Sequence, residues 1–202
     1  MDVDEIRMKF GAAYRANERT YRMGLDCRFA AHFAERFRGK VVLETCGGGG
    51  FTTIALARVA RHVFSVDIDG TVQEDARHNV SLAGVAAAVT FLRSDAFEVD
   101  LRSLSPRVES AFLDPDWADS GASHRYRFIE STTRPPSDTL LEHVMSFTAN
   151  VTLIQPPFIP ELAFSRLPRH ETEYLYLDGA HELYGLHFGS LARRVGRTEF
   201  RI

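Results

Sequence analysis

The amino-acid sequence predicts an α/β fold: a doubly wound, mostly parallel, seven-stranded sheet with an antiparallel C-terminal hairpin and N-terminal helices. Three observations carry that prediction. Short apolar runs alternate with helically spaced apolar stripes through the middle of the chain. A glycine run, Gly47-Gly48-Gly49-Gly50, follows the first apolar run almost directly. Two late runs stand too close together for a parallel crossover.

The elements follow in order. Ile6, Phe10, Ala13 and Tyr14 share one helical face, so 3–16 is expected to be a helix. Phe29, Phe33 and Phe37 mark a second helix, ended by Gly39. The first strand lies at Lys40–Glu44, a helix follows at about 51–60, and the second strand is His62–Asp67. Val72, Ala76, Val80 and Ala83 give the next helix, stopped by Gly84. Ala88–Leu92 and Glu109–Asp114 are the third and fourth strands. Leu141, Val144, Met145 and Thr148 mark a helix that Ser137 or Asp138 is placed to cap. Val151–Gln155 is the fifth strand. Glu173–Asp178 and Glu182–Phe188, joined through Gly179, form the hairpin. Alternation of this kind implies right-handed crossovers.

Length and composition bound the answer. The chain has 202 residues, 45% of them hydrophobic and 25% charged, which suits one α/β domain. Residues 1–38 are expected to form a helical extension and 39–202 the catalytic domain. No apolar run is long enough to span a membrane, and the acidic start is no secretory signal. Cys27 and Cys46 make neither a disulfide framework nor a four-ligand zinc site, so a reducing, cytoplasmic setting is expected. His124, His143, His170, His181 and His187 lack metal-ligand spacing, and no metal site is expected. The net charge of −3, with very little lysine and scattered arginines, argues against a broad nucleic-acid-binding face.

In an open α/β sheet, ligands bind beyond the carboxyl ends of the strands. At the first end stands Glu44-Thr-Cys46-Gly47-Gly-Gly49-Gly50. Glycines let the backbone turn and approach a ligand, although such a turn also serves simply to join strand to helix. Its spacing is not that of the three-glycine dinucleotide fingerprint. An acidic strand end suits a cofactor carrying an amino group and a sulfonium. At the second end, Asp67 can accept hydrogen bonds from ribose hydroxyls, a device shared with nicotinamide-binding folds, while Asp69 is the better helix cap. At the third, Asp95 can meet an adenine amino group or stand as an ordinary loop aspartate. The expected cofactor set is Glu44, Cys46, Gly47, Gly49, Asp67, Ile68, Asp95 and Ala96.

The fourth end is Asp114-Pro115-Asp116-Trp117. The buried-type run before it places the turn at the sheet edge, and Pro115 stiffens it. Trp117 is the only tryptophan. A lone tryptophan often anchors a core. After a polar, proline-fixed turn, a binding platform is the preferred reading.

These residues resemble a known pattern. Class I N-methyltransferases carry an acidic, glycine-rich first loop, an acidic second strand end, and an (Asp/Asn/Ser)-Pro-Pro-aromatic turn after the fourth strand. Here the corresponding segments are Glu44-Thr-Cys-Gly-Gly-Gly-Gly50, Asp67-Ile-Asp69 and Asp114-Pro-Asp-Trp117. More narrowly, the chain is similar to the trimethylguanosine synthase family of RNA cap guanine-N2 methyltransferases. Asp67-Ile-Asp69 and the closing Phe188-Gly-Ser-Leu191 are the further points of likeness. The departures are Asp116, where that family has a second proline, and Glu44-Thr-Cys in the first loop. A second run, Gln155-Pro-Pro-Phe158, follows the fifth strand and is read as structural by strand count.

The resemblance implies a Rossmann-like fold, S-adenosyl-L-methionine as cofactor, and methyl transfer to an exocyclic amine, most like guanine N2 of a cap or RNA. Asp114, Pro115, Asp116 and Trp117 become the catalytic set, with Trp117 stacking on the acceptor ring. RNA or a small heterocycle is the implied partner. The acidic balance and Asp116 favour a small-molecule amine as the alternative acceptor. The replaced proline also leaves open a non-catalytic, cofactor-binding subunit.

Overall fold

The computed structural model describes residues 2–117 and 126–202, so His124 lies outside the described residues. The chain divides into two compact units, one reaching Ser110 and the other running from Ala111 to Ile202.

The first unit holds α1 (Val3–Phe10), α2 (Glu18–Met23), α3 (Cys27–Ala34), β1 (Val41–Thr45), α4 (Phe51–Ala57), β2 (His62–Asp67), α5 (Gly70–Leu82) and β3 (Val89–Arg93). Its strands run in the order β3-β2-β1, all parallel, with Glu44 opposite Ser65 and Asp67 opposite Arg93. β1 is buried along its whole length, which is why it is a continuous apolar run rather than an alternating one. α1 ends at Gly11, earlier than the 3–16 span its periodicity suggests, because Gly11 takes the left-handed conformation and its N–H returns to the Arg7 carbonyl. The chain beyond still serves the core: Tyr14 joins Ile6 and Phe10 against Phe51, Ile54 and Val80. Phe10 lies flat on Phe51, with centroids 3.6 Å apart. α2 has no counterpart in the sequence reading. It is short and rests on a capping box between Asn17 and Thr20.

The second unit carries α6 (Ser137–Met145), β5 (Val151–Gln155), β6 (His170–Leu177), β7 (Ala180–Phe188) and β8 (Gly196–Arg201) beside β4 (Ser110–Leu113), which begins at the boundary. The order is β4-β5-β7-β6-β8. β4 and β5 are parallel, and β6 and β7 form the expected antiparallel hairpin. β8 is an eighth strand beyond the seven expected, parallel to β6. Neither Ser137 nor Asp138 caps α6. Pro136 holds that position without a side-chain bond, Ser137 turns its hydroxyl to Thr133, and Asp138 accepts the Glu130 and Ser131 N–H groups. By contrast Asp69 caps α5 as expected, accepting from Thr71 and Val72.

Among the described residues no helix is long and apolar enough to cross a membrane.

Candidate active site

The glycine loop is held by buried hydroxyls. Glu44, 1% exposed, is the last but one residue of β1 and accepts a 2.5 Å hydrogen bond from the Thr53 hydroxyl. Thr53 Oγ1 lies 3.3 Å from Ser65 Oγ on β2. Gly47 runs against this cluster so closely that a Cβ there would collide with Ser65 Oγ and approach Glu44 Oε2 to 3.3 Å. Gly50 has a positive φ of 79° and backs onto Ala76 of α5, which bars a side chain twice over. Cys46 is itself at φ 59°, in the left-handed region that few non-glycine residues enter.

Asp67 closes the loop from the second strand. Its Oδ2 accepts from the Gly48 N–H at 2.9 Å and its Oδ1 from the Asp69 N–H at 2.9 Å. Each carboxylate oxygen has two lone pairs, so both retain accepting capacity. Asp67 thus fastens the glycine loop as well as standing where a ribose acceptor is expected. Asn79 fastens the far side: fully buried on α5, it donates to the Gly49 and Arg15 carbonyls and accepts from the Arg15 N–H. Ile68 is 67% exposed beside Asp67. Asp95 and Ala96 are half-buried, and Asp95 Oδ1 takes the Phe97 N–H at 2.9 Å, a local turn.

In the second unit the Asp114–Trp117 turn leaves β4. Pro115 is buried, while Asp114, Asp116 and Trp117 are half-buried. Desolvation, reinforced by the charge of Asp116, pushes the Asp114 carboxyl up to about 7. Such a group changes between proton donor and acceptor near neutral pH. The Trp117 indole N–H is buried, with no hydrogen-bond partner among the described residues. Asp116 and Arg134 exchange both backbone hydrogen bonds at 2.9 Å, so a segment just before α6 pairs with the turn. Gln155 is buried at the end of β5, whereas Phe158 is 71% exposed and stacks on Tyr126 with centroids 5.5 Å apart.

The structure therefore gathers Glu44, Cys46, Gly47, Gly49 and Asp67 around one loop of the first unit, and Asp114 to Trp117 on one turn of the second. Thr53, Ser65 and Asn79 support the loop without having been singled out by sequence. Thr53 follows the glycine run by three residues, but a threonine in a helix's first turn carries no distinctive signal. Arg134 acts through its backbone, which no side-chain pattern encodes.

Comparison with known proteins adds the following. The family model for RNA cap guanine-N2 methyltransferases matches residues 39–161. A Porphyromonas gingivalis protein assigned as a methyltransferase superposes with a TM-score of 0.75 at 16% identity, over 95% of this chain and 48% of that one. This chain thus spans about half of that protein's length. An rRNA methylase from Streptococcus thermophilus gives 0.54 at 14% identity, covering 80% of this chain and 95% of its own. An RNA methyltransferase from Salinibacter ruber, in complex with S-adenosyl-L-homocysteine, gives 0.54 at 16%, covering 86% and 92%. Identities this low establish the fold, the Rossmann-like α/β fold of class I methyltransferases. No curated protein matches.

Proposed function

The chain belongs to the RNA cap guanine-N2 methyltransferase family, and on that footing we propose that it moves a methyl group from S-adenosylmethionine to the exocyclic amine of a guanine-like base. The observation that carries this reading is the family match over 39–161, which spans every candidate site residue from Glu44 to Trp117. Both the S-adenosylmethionine-dependent methyl transfer and its guanine-like acceptor belong to this proposal; the family match supports the first and the turn after β4 the second.

The first unit's loop fits that cofactor. Gly47 and Gly50 let the loop pack directly onto Ser65, Glu44 and Ala76, which fixes its path beyond the end of β1. Asp67 has lone pairs left for ribose hydroxyls, and exposed Ile68 offers an apolar surface to an adenine face. Asp95 supplies an acceptor for the adenine amino group. Bound there, the cofactor supplies a methyl group made electrophilic by its sulfonium.

The acceptor's chemistry falls to the second unit's turn. Methyl transfer needs the amine lone pair aimed along the carbon–sulfur axis, so orientation supplies much of the rate. The ionised Asp114 carboxylate and the Pro115 carbonyl accept the two amino hydrogens. That pairing fixes the nitrogen and favours the positive charge it gains. Trp117 stacks on the ring, and a cationic ring such as 7-methylguanine would add about 0.5–2 kcal/mol of attraction. The product ammonium then loses its proton to Asp114 or to water.

The test is transfer of radiolabelled methyl from S-adenosylmethionine to a panel of 7-methylguanosine cap analogues, guanosine nucleotides, RNA and small heterocyclic amines. Label on the guanine exocyclic nitrogen, lost in Asp114→Ala, supports the reading. Label appearing only on a small non-guanine amine replaces the acceptor, and no label on any acceptor removes the catalytic role.

A further inference from the structure

The segment that pairs with Asp116 is tied into a chain of buried polar side chains. Gln155, at the end of β5, is fully buried, and its Nε2 donates to Ser137 Oγ at 2.8 Å and to the Ile154 carbonyl at 2.6 Å. Ser137 Oγ and Thr133 Oγ1 are 2.7 Å apart, and the Thr133 hydroxyl donates to the Pro135 carbonyl at 2.8 Å. Ser137 Oγ accepts from Gln155, and either hydroxyl of the Ser137–Thr133 pair can donate to the other. Thr133 Oγ1 also takes the Ser137 N–H at 2.8 Å and faces Ser131 Oγ at 2.9 Å. Ser137 is fully buried and Thr133 nearly so. A buried polar network joined through several hydrogen bonds holds its geometry tightly.

The residue after Thr133 is Arg134, whose backbone carries both hydrogen bonds to Asp116. We propose that Gln155, Ser137 and Thr133 are positioning residues: their hydroxyl chain fixes Arg134, and through it sets where Asp116 stands relative to Asp114. The inference rests on the reading of this turn as the acceptor's seat, and gives Gln155, in a run that strand count marks as structural, a positioning role. Sequence order hides the link, because Gln155 at the end of β5 stands 18 residues beyond Ser137. A purely structural role, satisfying the backbone at the start of α6, predicts the same bonds but no influence on Asp114.

Asp114 reports which role is right. Desolvation and Asp116 raise its carboxyl to about 7, and Asp116 is the charged group acting on it among the described residues. The experiment is a carbon-13 titration of the Asp114 carboxyl by nuclear magnetic resonance, in the full chain without ligand. Wild type should titrate near 7. Thr133→Val keeps the shape, removes the hydroxyl, and should lower the midpoint by roughly one pH unit as the turn loosens and admits water. Thr133→Ser keeps the hydroxyl and should restore the wild-type midpoint. If Thr133→Val does not fold, Ser137→Ala breaks the same chain and is titrated instead. A folded variant with an unchanged midpoint overturns the proposal, as does a wild-type midpoint in the ordinary carboxylate range. Because this readout needs no turnover, a midpoint that moves as expected in a protein that methylates nothing would remove the functional reading and leave the positioning role standing.

Discussion

Asp114 is half-buried two residues before Asp116 on the same turn, and desolvation together with the charge of Asp116 raises its carboxyl to about 7. An ordinary aspartate would be ionised throughout the neutral range. Here the protonation state is divided near neutrality, and the ionised form, with both oxygens accepting and a full negative charge, is the stronger partner for an amino hydrogen.

Methyl transfer should therefore rise with pH through about 7 and level off above it. Asp116→Asn removes the neighbouring charge and should move the midpoint to lower pH. A pH–rate profile of kcat/KM checks both. A flat profile between pH 5 and 9, to give the range roughly, would show that Asp114 ionisation is not needed.

The same carboxyl carries a stability signature. Its folded-state value is raised above the unfolded one near 3.8, so its contribution favours the fold at low pH. That contribution is complete below the unfolded value and is lost as pH rises through about 7. Relative to Asp114→Asn, which cannot ionise, the wild type should lose unfolding free energy across this window. Urea unfolding of both proteins at several pH values measures the difference, and parallel curves would contradict it.

The cofactor loop gives a packing prediction. A methyl group at position 47 would collide with the Ser65 hydroxyl. Gly47→Ala should cost about 1–3 kcal/mol of stability and weaken cofactor binding as the loop shifts. Adding Ser65→Ala should recover part of both, since it deletes the colliding atom. Thermal melts and calorimetry with S-adenosylhomocysteine settle it; no recovery in the double variant would mean that strain lies elsewhere in the loop.

Asp67 both fastens Gly48 and stands at the proposed ribose position. Asp67→Ala should weaken S-adenosylhomocysteine by roughly 1–3 kcal/mol, the scale of a lost charge-assisted hydrogen bond. Calorimetry on the folded variant measures it, and unchanged affinity would take Asp67 out of the site.

Much of this architecture is legible in the sequence because buried parallel strands are unbroken apolar runs. β1, β2, β4 and β5 announce themselves that way, and the glycine run and Asp114-Pro-Asp-Trp117 mark two of the strand ends. β8 does not, since Gly196-Arg-Thr-Glu-Phe-Arg201 is an edge strand exposed along much of its length. What stays hidden is tertiary. The Thr53–Glu44 bond, the Asn79 clasp on Gly49 and the Arg134–Asp116 pairing join distant positions through single hydrogen bonds or bare backbone. Periodicity and motif spacing carry no record of such pairings.

The nature of the acceptor is the last matter the turn addresses. Two carboxylates on one short turn attract donors and repel phosphate, so the amino edge of a base should face Asp114 and Asp116 while its phosphates point away. Trp117 stands next to them, half-buried, with its indole N–H unpartnered among the described residues. Stacking on a tryptophan contributes about 1–3 kcal/mol per base, whatever the strand around it. The chain's net charge is −3, and its arginines are scattered rather than gathered in a track. A long RNA backbone would need such a track, because phosphate neutralisation dominates polymer affinity. Acceptor binding should therefore depend weakly on salt and strongly on the ring. Trp117→Ala should weaken a cap analogue far more than any single arginine substitution, and Trp117→Phe, which stacks but cannot donate, should fall between. Fluorescence titration with a 7-methylguanosine nucleotide at several salt concentrations measures all three. A steep salt slope together with an insensitive Trp117 would mean that the acceptor is a polymer held by its phosphates, and the assignment of this turn to a single terminal base would fail.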